Sequence, residues 1–144
     1  MRRLFGVLSI ACLLLPLAGC DAFPVIVGDQ VMVKLVNDGD YDVDVVIYID
    51  DDQDISKSRL TEDGTKLEYT VEEGETRTFL RSCDDLQAII IDDADLQWLG
   101  GIELETSTNV LRDGDDFGCR DTIVFTFDHT VGGLGFNVTP DVQD

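Results

Sequence analysis

Aspartates at Asp50, Asp52 and Asp54, with Asp51 between them, are spaced at i, i+2 and i+4 directly after an apolar run. That spacing lets a tight loop aim several carboxylates at one point. Calcium takes six to eight oxygens from carboxylates, carbonyls and water. The three residues are therefore a candidate site for Ca²⁺ or a similar hard cation. An EF-hand is excluded, because its sixth and twelfth loop positions want Gly and Glu and fall here on Ile55 and Thr61. Asp92, Asp93 and Asp95, and Asp113, Asp115 and Asp116 around Gly114, are weaker versions of the same pattern. The competing explanation is that Asp favours turns and keeps strand edges from pairing with other chains. His129 is the single histidine, so any Ser-His-Asp or Cys-His catalysis would have to use it. No Gly-x-Ser-x-Gly and no phosphate loop accompanies it, and the expectation is a turn residue in a protein that is not an enzyme. Cys83 and Cys119 belong to no C-x-x-C motif, and one histidine is too few for an ordinary zinc site. They are expected to form a disulfide across 36 positions, a closure that the chain-entropy model values at about 3.5–4 kcal/mol.

The remaining chemistry lies at the N-terminus. Met1-Arg2-Arg3 is basic, Leu4 to Leu17 is apolar, and Leu17-Ala18-Gly19-Cys20 follows. A charged start, an apolar middle and small residues before a cut site make a secretory signal peptide. From Leu4 to Gly19 there are 16 uncharged residues, short of the about 20 that span a bilayer, and Pro16 would interrupt a spanning helix. Leu17-Ala18-Gly19-Cys20 resembles the lipobox of bacterial lipoproteins. The resemblance implies that the Cys20 thiol receives a diacylglycerol, that residues 1–19 are removed, and that Cys20 becomes the acylated (palmitate-type) first residue. It covers the first 20 residues alone and implies nothing about the domain behind them. Asp21 resembles an inner-membrane retention mark used in some Gram-negative bacteria. Inner and outer membrane both stay open.

Removal of 1–19 would leave about 125 residues, enough for one domain. The whole chain carries 10 Lys and Arg against 30 Asp and Glu. Arg2 and Arg3 leave with the signal, so the mature charge is about −22. Such a chain lacks the cations that nucleic acid requires, and it cannot dock on anionic lipid by charge. Membrane contact is expected through the acyl anchor at Cys20 alone. Residues 20–28 form the lipidated cysteine and a short tether, in which Phe23, Val25, Ile26 and Val27 are apolar.

The elements that must carry these groups read as strands. Val31, Val33 and Leu35 alternate with Met32 and Lys34; Tyr41, Val43, Val45, Ile47 and Ile49 alternate with Asp42, Asp44 and Asp50. Asn37-Asp38-Gly39-Asp40 between them has the composition of a hairpin turn. Leu67, Tyr69 and Val71 make a third strand, and Thr76 to Arg81 follow Glu73-Gly74. Leu86 to Ile91 is apolar throughout, as in a strand buried on both faces. Ile123, Phe125 and Phe127, then Leu134, Phe136 and Val138, read as a last hairpin through Gly132-Gly133. No segment has a helical period. The reading is an all-β fold: a β-sandwich of seven or eight mostly antiparallel strands, immunoglobulin-like or prealbumin-like, with a small β-barrel as the alternative. The domain is expected over 29–140, with 141–144 a frayed tail. The function expected is a non-catalytic interaction or structural role at the cell envelope, on the extracytoplasmic side, toward a protein or glycan partner. A calcium-dependent binding module is the alternative.

Overall fold

The computed structural model describes residues 28–96, 104–129 and 135–144. Among these described residues, nine strands and one short helix run in the order β1 (Gln30–Asn37), β2 (Val43–Asp50), α1 (Lys57–Asp63), β3 (Thr65–Val71), β4 (Thr76–Ser82), β5 (Ala88–Leu96), β6 (Glu105–Thr106), β7 (Leu111–Arg112), β8 (Thr122–His129) and β9 (Phe136–Gln143). They form two sheets. One has the order β4-β1-β8-β9; the other has β3-β2-β5-β6, with β7 also pairing β5. All pairs are antiparallel except β1–β8. Neither sheet closes on itself, so the architecture is a β-sandwich and not a barrel.

Period-two alternation decides which side chains meet between the sheets. Val31, Val33 and Leu35 of β1 and Ile123, Phe125 and Phe127 of β8 face Val43, Val45, Ile47 and Ile49 of β2, and all are buried. At the open side between β3 and β4, Tyr69 and Phe79 stack with ring centroids 5.5 Å apart. That aromatic pair covers a sandwich edge where no backbone ladder joins the two sheets.

β5 is buried on both faces, as its apolar run predicts. Ile89, Ile91, Ala94 and Leu96 face the main core, while Ala88 and Ile90 join Ile55 and Leu60 in a small second core beneath α1. The strand runs five residues beyond Ile91 by means of a bulge. Ile47 pairs with Ile91 and Val46 with Asp93, which leaves Asp92 as the extra residue. The bulge moves the inward positions from odd to even numbers, so two consecutive aspartates fit without burying either in the core. On the opposite edge of β5, in the gap between its pairings with β7 and β6, buried Thr108 continues the bonding: its Oγ1 accepts from the Ile91 N–H at 3.1 Å and its own N–H donates to the Ile91 carbonyl at 2.9 Å.

Three expectations need correction. Asn37–Asp40 is not a hairpin turn: β1 and β2 lie in different sheets, and the segment crosses between them. Glu72–Glu75 likewise crosses from β3 to β4. Residues 141–144 are not a frayed tail, because β9 continues and pairs Asp141, Val142 and Gln143 with Val124, Ile123 and Thr122. Pro140 does not end it, since β9 is a sheet edge where a missing N–H need cost no ladder bond. Finally, residues 57–63 form a helix where no helical period shows. Ser56 caps it by accepting from the Arg59 N–H, and the chain leaves at Gly64. A Cβ on Gly64 would press on the Leu60 carbonyl oxygen and lie 3.1 Å from that of Ile49.

Candidate functional site

The Asp50–Asp54 loop connects β2 to α1 along the outer face of the second sheet. The carboxylates of Asp50 and Asp52 are directed at the loop itself. Asp50 Oδ1 accepts from the Asp52 N–H and Asp52 Oδ1 from the Asp54 N–H, each at 3.0 Å. These are Asx turns, in which each side chain stands in for a backbone acceptor. Among the described residues no group of three or more His, Cys, Asp or Glu side chains stands where it could hold a metal ion. Asp50, Asp52 and Asp54 are therefore not brought together as one group of ligands here; the i, i+2 spacing builds successive turns.

A residue that sequence reasoning missed organises this loop. Arg112, in β7, sends its guanidinium back to the carbonyls of Gln53 and Ile55, the latter at 2.8 Å. Its own N–H donates to Asp116 Oδ2 at 2.9 Å. Arginine suits this position because a planar fork of donors can hold two carbonyls at once. Asp113, Asp115 and Asp116 therefore belong to the turn that presents Arg112, with Gly114 at φ 77°. Asp93 and Asp95 lie within β5, opposite Val46 and Asp44. Beside the loop, a cleft of about 340 Å³ opens, lined by Ile49, Asp50, Asp51, Thr65, Arg81 and Asp85. Arg81 lies 5.3 Å over the Phe79 ring and donates to the Leu80 carbonyl. Elsewhere, Lys66 on exposed β3 is raised above its ordinary value chiefly by its hydrogen bond to Glu68 at 2.7 Å.

The disulfide joins Cys83 to Cys119, as expected, with Cα atoms 5.4 Å apart. It sits at the end of the sandwich where the described chain begins. There the Cys83 N–H donates to the Asp29 carbonyl at 3.0 Å, and the Arg120 N–H to that of Gln30 at 3.1 Å. Arg120 also pairs with Asp29 through exposed side chains at 3.2 Å.

His129 ends β8 at the opposite pole. Tyr41 meets it edge-on with centroids 5.2 Å apart. A Cβ on Gly39 would come within 3.0 Å of its Nδ1, so glycine permits the close approach. No serine or cysteine nucleophile is among these neighbours. Next to it, Asn37 is buried and ties both sheet-crossing segments together. Its Nδ2 donates to the carbonyls of Tyr41, Val71 and Glu72 at 2.8, 3.0 and 3.2 Å, and its Oδ1 accepts from the Gly39 N–H at 3.0 Å. In the sequence this residue is an Asn that ends an apolar strand, and its composition alone marks it as part of a turn.

Cys20, the signal segment 1–19 and the tether up to Val27 lie outside the described residues. No helix among the described residues is long and apolar enough to cross a membrane.

No family model and no curated sequence matches the chain. Among solved structures it is similar to the type VI secretion lipoprotein TssJ1 from Pseudomonas aeruginosa, at 12% identity and a TM-score of 0.48, over 81% of this chain and 97% of that one. It is also similar to part of a disulfide-locked mutant of intermedilysin solved with human CD59, at 12% identity and a TM-score of 0.43, over 80% of this chain and 24% of that one. Likenesses this distant assign neither family nor function.

Proposed function

We propose that the chain is a lipid-anchored, non-catalytic module of the cell envelope, held on the extracytoplasmic side by acyl chains on Cys20. The observation that carries this reading is Leu17-Ala18-Gly19-Cys20 behind a basic start and an apolar run too short to span a bilayer. The Cys83–Cys119 disulfide supports it, because such bonds persist in oxidising compartments outside the cytoplasm. The strong negative charge supports a protein or glycan partner over nucleic acid. Residues 29–144 are then a binding or structural unit whose strands supply rigidity and whose loops supply contacts.

Detergent phase separation tests the anchor. The wild type partitions into the detergent phase, and mass spectrometry finds an acylated Cys20 at its N-terminus. Cys20→Ser remains uncleaved and carries no acyl group. A water-soluble mature wild type that begins at another residue overturns the reading.

A further inference from the structure

β1 is the strand through which residues 1–27 join the domain, and it lies inside its sheet between β4 and β8. Gln30 pairs with Ser82 and Met32 with Thr122. The end of β4 and the start of β8 therefore flank the first residues of β1. Cys83 directly follows β4, and Cys119 lies three residues before β8. Two strands on either side of a third stand about 9.6 Å apart, twice the usual spacing. The Cα atoms of Cys83 and Cys119 are 5.4 Å apart, so the two segments converge over the end of β1 and are bonded there.

Both segments also hold that strand end by backbone bonds. Cys83 donates to Asp29, Arg120 donates to Gln30, and the Met32 N–H donates to the Asp121 carbonyl at 3.1 Å. Arg120 adopts φ 82°, the only positive φ of a non-glycine residue among those described. A left-handed arginine is unfavourable by itself, and here it accompanies the bond that brings the Arg120 N–H onto Gln30.

We propose that the Cys83–Cys119 disulfide is a latch across β1, which keeps the tether end of that strand seated when the segment preceding it, residues 20–27, is pulled. The source of the pull rests on the lipid anchor proposed above; the latch itself does not. An ordinary cross-link stabilises by restricting the unfolded chain and protects every core amide alike. A latch prevents a local opening that would free β1 first.

Native-state hydrogen exchange on the purified full chain separates the two. In the wild type, the Met32 amide exchanges only with global unfolding, together with the Ile91 amide in the other sheet. In Cys83→Ala/Cys119→Ala, Met32 loses about tenfold more protection than Ile91, the sign of a new local opening. Equal losses at both amides overturn the latch, as does a low-energy opening at Met32 in the disulfide-bonded wild type. Should the double variant not fold, the same two amides are compared in the native wild type before and after mild reduction of the disulfide, and equal losses again overturn the latch. Detergent partition reports the anchor separately, so either reading can fail while the other stands.

Discussion

Replacing Asn37 probes the corner where both crossings between the sheets meet. Asn37→Ala removes the partners of three carbonyls, those of Tyr41, Val71 and Glu72, and of the Gly39 N–H. The bond to Val71 is the buried one, while the other three are partly buried and can recover water. A buried group left without a partner costs about 1–3 kcal/mol, and each remaining bond about 0.5–1.5 kcal/mol less its rehydration. The sum is about 2–4 kcal/mol. A domain of this size loses about 3–5 °C of melting temperature per kcal/mol, so scanning calorimetry should show a fall of about 8–15 °C. Asn37→Asp adds a test of sign. Its carboxylate would face the same three carbonyl oxygens, which favours the protonated form and raises the folded-state pKa. The stability that protonation confers is then complete below the unfolded value near about 3.9 and is lost as pH rises through the raised folded value. This variant should approach the wild type near about pH 4 and fall progressively behind it toward about pH 7. An alanine variant within about 2 °C of wild type, or an aspartate variant with no such pH dependence, refutes the claim that this amide joins the two crossings.

The remaining predictions concern the second sheet. Thr108→Val keeps shape but removes the acceptor of a buried N–H; it should cost about 1–3 kcal/mol in urea unfolding and speed exchange of the Ile91 amide. Leu60→Ala empties the small core between α1 and β5 and should cost about 2–5 kcal/mol; a change under about 0.5 kcal/mol would mean that α1 is not packed on the sheet. With Asp50 and Asp52 serving as turn acceptors, about 1 mM CaCl₂ and NaCl at equal ionic strength should shift the melting temperature equally, in wild type and in Asp52→Asn. A shift specific to calcium that Asp52→Asn abolishes would restore the cation site.

What the sequence exposes is the part of the fold set by local alternation and by simple exclusion. Val31, Val33 and Leu35 show their face through period two, and Cys83 and Cys119 show their bond because no other chemistry suits them. Which strand a segment pairs with is a different matter. Asn37-Asp38-Gly39-Asp40 has hairpin composition, yet a turn composition fixes only that the chain changes direction. Whether β2 returns beside β1 or crosses to the facing sheet depends on which arrangement buries both apolar faces, and that is a property of the whole chain. The same holds for the aspartates. Asp50, Asp52 and Asp54 have the spacing of ligands, but a carboxylate next to a free N–H two residues on is satisfied within its own loop before any ion arrives. The residue that fixes the loop, Arg112, is 59 positions from Gln53. No local pattern contains that contact. It arises because Leu111 pairs with Ile89 at one end of β5, and Gln87, just before that strand, donates to the carbonyl of Asp50 at the end of β2. The loop's shape is therefore set by sheet register, and register becomes legible only after the core has chosen its sides.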